Sequence, residues 1–308
     1  MDTKMYRKDF SGLGFRMACS AVLILAIQTV GQYIVAAINP DWAENMDIML
    51  AATMVPLYVL GYPLAFLILR SKEKRTIEKH NMTLGQFILA FMMSYGLMIL
   101  GNLIGVFITL GIGILKGDEV VNPLMSVVNG GNLWITAIYI VLLAPVCEEF
   151  MFRKLICDRV AKYGQGTAVV VSGLMFGLFH GNLNQFFYAF FLGSFFAFIY
   201  LKTGQLKYTI GLHMVINFIG SVLGGLLLQN VDMQTPMGLI IFALYALCVY
   251  GIALAGGVLF LVNRPKMKLE AGDITIEKGS RFKTVIGNVG MIVYCLLFLI
   301  LTLVVTLR

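Results

Sequence analysis

Charge is scarce in this chain of 308 residues: 13% are Asp, Glu, Lys or Arg, about half the share usual in a soluble domain. That scarcity excludes an ordinary water-solvated globule. Histidine occurs only three times, and neither HExxH nor a Cys/His zinc spacing is present, so the common zinc-protease signature is missing. There is no CxxC pair. The five cysteines are an odd number, and four lie in apolar stretches, which excludes a disulfide framework and marks them as small buried hydrophobes. Internal repeats, low-complexity linkers and an appended soluble catalytic domain are also missing. The net charge of +7 does not point to nucleic acid, because the basic residues form short clusters at the ends of apolar runs and not along one face.

What is present is apolar surface. Hydrophobic residues make up 59% of the chain and the mean hydropathy is +0.86. A bilayer core about 30 Å thick needs about 20 mostly apolar residues per helix. The sequence supplies such runs at 17–38, 47–69, 84–115, 133–162, 166–181, 184–201, 207–228, 237–262 and 285–306. The predicted fold is all-α, a polytopic membrane helix bundle of eight to nine spans forming a single membrane domain over 1–308.

Lys4, Arg7, Lys8 and Arg16 precede the first run in the manner of a signal peptide, but 17–38 is too long for a signal core and further spans follow, so it reads as a retained helix. The connectors alternate in charge. Those around 70–80, 153–162, 202–207 and 264–283 are basic, and those at 40–45, 116–132 and 229–236 are acidic or nearly neutral. The positive-inside rule then predicts a multi-pass protein with a cytoplasmic N-terminus, and the lack of an obvious endoplasmic-reticulum retrieval signal makes a prokaryotic cell membrane its expected home. The longest basic connector, 263–283, is expected to form a hairpin or stay irregular over 272–279.

The few polar residues inside apolar runs cost at least a few kcal/mol each on insertion scales and need partners or a water-filled cavity. They cluster within 133–228. Glu148, Glu149 and Arg153 fall on the fourth run, Phe176 and His180 on the fifth, and His213 and Asn217 on the seventh. Residues four apart share a helix face, so Glu149 and Arg153 can neutralise each other. Glu148, about 100° away, is left free to face a cavity as a candidate base. The same spacing aligns Phe176 with His180 and His213 with Asn217. At about 1.5 Å per residue, Glu148 and His180 each lie about 21 Å from the basic ends of their helices. His213 and Asn217 come out shallower, so the seventh helix must start before Lys207 or tilt. Asn182, Asn184 and Gln185 are expected to cap the turn after His180, and the phenylalanine-rich run 186–198 to serve packing.

These three motifs resemble those of the CPBP family of membrane-embedded glutamate proteases, which includes the type II CAAX prenyl endopeptidases and the Abi-type proteins. The family pattern is Glu-Glu-x-x-x-Arg, Phe-x-x-x-His and His-x-x-x-Asn or Asp on three helices. The chain carries it at Glu148, Glu149 and Arg153, at Phe176 and His180, and at His213 and Asn217.

The resemblance implies an intramembrane endopeptidase. Glu148 and His180 would activate a water, His213 and Asn217 would stabilise the oxyanion, and Glu149 and Arg153 would brace the helix. It also implies no metal or other cofactor. Partners would be a peptide or lipidated-protein substrate and membrane lipids, with no nucleic acid. A CAAX-type substrate needs a cavity open to the cytoplasm and to lipid.

Three alternatives remain. One Glu and two His could form a zinc site with an open position. The same pocket could bind a peptide without turnover, as in an immunity protein. A proton- or ion-coupled transporter would use the cluster as a relay, although Pro56, Pro63, Pro123 and Pro145 do not make the paired helix breaks that transporters show.

Overall fold

The computed structural model of the protein describes residues 3–71, 73–123 and 131–307. Among them there is no strand, and eight helices are long and apolar enough to cross a membrane. In chain order these are α1 (Thr3–Ile38), α2 (Met46–Leu69), α3 (Leu84–Lys116), α4 (Leu133–Tyr163), α6 (Leu183–Thr203), α7 (Leu206–Leu227), α8 (Pro236–Lys266) and α9 (Val289–Leu307). The run at 166–181 forms α5 (Gln165–Phe179), an apolar helix of 15 residues that spans only about 22 Å. It stops short because Gly181, at φ 63°, turns the chain into α6, whose first turn is capped by Asn182 Oδ1 accepting from Gln185 N.

One boundary differs substantially from the sequence expectation. The basic segment before residue 17 is not a flanking tail but the first four turns of α1. Tyr6, Phe10, Leu13 and Met17 recur at helical spacing and are all buried, so an amphipathic face extends the helix beyond the hydropathic run. Part of the 116–132 connector, residues 124–130, lies outside the described residues.

Helix α6 is the most enclosed of the eight and packs between α5 and α3; α3 packs in turn on α8, and α1 on α2 and α9. Without a hydrophobic drive between helices in lipid, such contacts rely on close approach at small residues. At the crossing of α3 and α8, a Cβ on Gly256 would overlap the Met92 carbonyl. Gly256→Ala is therefore expected to cost about 1–3 kcal/mol, read as a lower melting temperature in detergent.

The basic connectors gather at one end of the bundle. Asp9 accepts from Arg159 and from Tyr163 Oη, and Lys162 Nζ reaches Asp9 at 3.0 Å and Glu73 at 2.8 Å. Lys202 pairs with Glu270 at 2.7 Å, His80 N donates to Thr203 O, and Ile274 N donates to Lys162 O. The 272–279 stretch forms no hairpin; it runs irregularly across the α4–α5 turn, with Gly272 against Gly164. The Lys202 hydrogen bond holds the Glu270 carboxyl below the usual carboxylate range.

Candidate active site

Sequence spacing puts Glu149 and Arg153 on one face of α4, and the structure seals that pair completely. Arg153 Nε donates to Glu149 Oε2 at 2.8 Å and Nη2 to Oε1 at 3.1 Å, with neither side chain reaching solvent. The remaining guanidinium nitrogen, Nη1, donates to Ser172 Oγ on α5, which itself donates to Phe152 O. Two charges withdrawn from water are tolerable only when so fully hydrogen-bonded. The network also ties α4 to α5 at the level of the site.

Glu148, one residue earlier, points instead into a cavity of about 290 Å³ between α2, α4, α5, α6 and α7. Phe176, His180, His213 and Asn217 line the same cavity, whereas Glu149 and Arg153 do not. Chain spacing thus separates the polar residues of α4 into one that faces the cavity and two that lie behind it.

His213 joins these two layers. Its Nδ1 lies 3.1 Å from Glu149 Oε1 and its Nε2 lies 3.8 Å from Glu148 Oε2. The carboxylate of Glu149 can only accept, so it fixes the proton on Nδ1 and leaves Nε2 toward the cavity. Glu149 therefore does more than brace α4: it orients a histidine on another helix. Spacing within α4 could not show this, because the partner comes from 64 residues away.

His180 is held in the same manner by backbone. Its Nδ1 donates to Phe176 O at 2.9 Å, one turn back, leaving Nε2 free as an acceptor. The Phe176 ring packs edge-on to His180 and His213, with centroids 4.9 and 5.8 Å away, and has the Arg153 guanidinium 4.9 Å from its centroid. It thereby screens the buried charge pair from the cavity. Asn217 Nδ2 donates to Ile140 O at 2.9 Å, which fixes the amide and leaves its second N–H available.

The depth mismatch expected for α7 is not resolved by an earlier start, since that helix begins at Leu206. A part of it arises in α4. Residues Phe150–Cys157 form a π-helical stretch directly after Glu149, and Ile138–Leu143 form another before it. The wider turn rises less per residue, so Glu148 sits nearer the basic end than a straight α-helical count places it. Two further π stretches are Phe218–Leu223, after Asn217, and Leu57–Gly61 of α2.

Several lining residues carry no motif. Tyr58 and Tyr62 of α2, Tyr139 of α4, Gln185 and Tyr188 of α6 and Ser221 of α7 complete the wall. Tyr62 presents its hydroxyl to Glu148, while Tyr58 stacks on Tyr62 and Tyr139 and donates to Tyr139 O. Two tyrosines four residues apart on an apolar helix were the available sequence signal. Of the trio expected to cap the turn after His180, Asn182 and Gln185 do so, Asn182 Nδ2 donating to Gln185 Oε1, while Gln185 Nε2 also donates to Tyr188 Oη within the cavity wall and Asn184 donates instead to Val121 O. Phe196, from the aromatic run, packs 5.7 Å from His213 and adds to the site. Among the described residues, no three His, Cys, Asp or Glu side chains are grouped so as to hold a metal ion.

Comparison with known proteins places this geometry among relatives. Residues 130–219 match the family model described as Type II CAAX prenyl endopeptidase Rce1-like. The chain is also 30% identical over 156 residues to the Bacillus subtilis (strain 168) protein named "Putative membrane peptidase YdiL". That match takes in 46% of this chain and 61% of the relative's length. No solved structure matches. The family match and the relative both support the CPBP family resemblance carried by the three motifs.

Proposed function

We propose that this chain, whose motif-bearing helices are of the CPBP family, is a membrane-embedded endopeptidase hydrolysing a peptide bond with water activated at Glu148 and His180. The observation that carries the reading is the convergence of Glu148, His180, His213 and Asn217 on one cavity, with Glu149 and Arg153 sealed behind it.

A water held between Glu148 and His180 Nε2 gives its proton to the carboxylate as its oxygen attacks the scissile carbonyl carbon. The carbonyl oxygen becomes an oxyanion, which the free N–H of Asn217 can meet. His213 can add a second donor from Nε2 when it carries both ring protons. As the carbonyl re-forms, the C–N bond breaks and the proton on Glu148 passes to the departing amine. Water and peptide give a carboxylic acid and an amine, with no other reactant required.

The basic end is assigned to the cytoplasm, with the N-terminus on that side and the chain in the cell membrane, on the strength of the positive-inside rule. Substrates are peptides or lipidated proteins held by the bilayer.

The reading is metal-independent. Purified in detergent, the protein is expected to cleave a panel of fluorogenic peptides, with and without a farnesylated cysteine, at a rate unchanged by a chelator. Loss of turnover on chelation with recovery on adding zinc would instead establish the metal alternative. An inert wild type, on a panel that a known family protease cleaves, would point to binding without turnover.

A further inference from the structure

We infer that the groove between α5, α6 and α8 at the basic end of the bundle is a binding site for one anionic phospholipid, its acyl chain lying on the phenylalanines of α6 and its phosphate meeting Arg264. Such a site stands whether or not the chain hydrolyses peptides.

The groove follows from how the helices pair. Helix α6 packs on α5 and on α3, and α3 packs on α8, but among the described residues α5 and α8 make no substantial contact with each other. The gap left over α6 holds a cavity of about 340 Å³, within the range of small-molecule sites. Phe191, Phe195 and Phe198 recur at spacings of four and three and so share one face of α6. They line the groove together with Val169 of α5, Leu97 of α3 and Phe260 of α8, and the Phe195 ring lies 6.0 Å from that of Phe260. Ser194 also lines it, but its Oγ is buried against Gly173 of α5, so the wall offers a ligand no accessible hydroxyl. A hydrocarbon chain suits such a wall.

The depth fits one leaflet. On α6 the three phenylalanines lie from 11 to 4 residues before Lys202, about 17 to about 6 Å along the helix from it, and Phe260 lies about 6 Å before Arg264. Half of a hydrocarbon core about 30 Å thick is about 15 Å. An acyl chain of the leaflet on the basic side therefore covers the phenylalanine face from end to end, whereas a chain of the other leaflet would have to cross the midplane.

The mouth decides the headgroup. After α8 the chain brings Arg264, Met267 and Leu269 into the wall, and it is pinned beyond them, where Gln165 N donates to Glu270 O at 3.0 Å and Glu270 N donates to Gln165 Oε1 at 3.1 Å. Arg264 is exposed, as are Lys266 and Lys268 beside it. Among the described residues none of these three cations has an acidic partner, and Glu270, the next acid along the chain, is already held by Lys202 at 2.7 Å. Three cations within five residues, on a segment fixed in place, leave positive charge unanswered at the level of lipid phosphates. A zwitterionic headgroup brings its own ammonium to its phosphate. An anionic headgroup brings the net negative charge that these residues can meet.

The test uses the full chain purified in detergent and native mass spectrometry, with phosphatidylglycerol and phosphatidylcholine of identical acyl chains as probes. One phosphatidylglycerol is expected to be retained per protein, with an affinity at least about tenfold above that for phosphatidylcholine. In the triple variant Arg264→Gln, Lys266→Gln, Lys268→Gln that preference should fall to about threefold or less, with phosphatidylcholine binding unchanged. Equal retention of both lipids by the wild type, or a preference that survives in the triple variant, overturns the inference.

The location is read on the wild type, without any variant. Phosphatidylglycerol carrying a diazirine on its acyl chain is photocrosslinked to the protein and the adducts are mapped by peptide mass. Adducts concentrated in 191–198 and 260–269 support the groove, and adducts spread evenly over the outer faces of α1, α2 and α9 overturn it. An amidated, farnesylated peptide without charged residues serves as competitor. Crosslinking unchanged in its presence is expected; displacement would give the groove to the lipid moiety of a substrate and overturn its assignment to a membrane phospholipid.

Discussion

Replacing Glu148 with Gln is expected to lower kcat by about 10²–10⁴-fold while leaving the melting temperature within a few degrees of wild type. The side chain is 15% exposed, faces the cavity, and lies 3.8 Å from His213 Nε2. Glutamine keeps its volume and its capacity to hydrogen-bond with Tyr62, so the packing is retained, but an amide cannot take a proton from water. KM is expected to change little, because the group lost is required for the bond-making step and not for holding the peptide. Turnover within threefold of wild type in a folded Glu148→Gln protein would remove this residue from the chemistry and leave His180 as the remaining candidate base.

The largest effect on stability is expected one turn along. Arg153→Leu removes the one cation that pairs with Glu149 in a site sealed from solvent and leaves the carboxylate only neutral hydrogen-bond partners such as His213 Nδ1, which costs about 3–5 kcal/mol. It also strips Ser172 Oγ of its guanidinium partner. Thermal unfolding in detergent should show a clear fall in melting temperature. The double variant Glu149→Leu, Arg153→Leu removes both charges and should regain most of that loss, since apolar residues of similar volume replace a buried pair at little net cost. Its activity should nevertheless stay low, because His213 Nδ1 has lost the carboxylate that orients it. A single variant as stable as the wild type would show that the pair contributes little, and full activity in the double variant would remove the orienting role of Glu149.

The helices were legible in the sequence because apolar runs of bilayer length leave little else for the chain to form. The motif residues were legible because a polar group in such a run must be satisfied. Two features escaped that reasoning. The first four turns of α1 are too polar to register as hydropathy, although Tyr6, Phe10, Leu13 and Met17 mark an apolar face at spacings of four, three and four. The coupling of Glu149 to His213 and the contribution of Tyr58 and Tyr62 depend on which helices become neighbours. Spacing within a helix shows which side chains share a face, but it does not show what that face meets. The π stretch after Glu149 likewise shifts depth in a way that an even count of 1.5 Å per residue does not capture.

The shortness of α5 bears on the lipid as well as on the protein. At about 22 Å, it falls about 8 Å short of an average hydrocarbon core, and its far end is a polar turn carrying Asn182 and Asn184. Lipid bordering this short helix would relieve the mismatch by thinning. A dimple in the leaflet on that side would bring headgroups and their water closer to the reacting carbonyl. A substrate helix bordering the dimple would lose part of its hydrocarbon support, and its backbone would fray more readily into the extended form that hydrolysis requires.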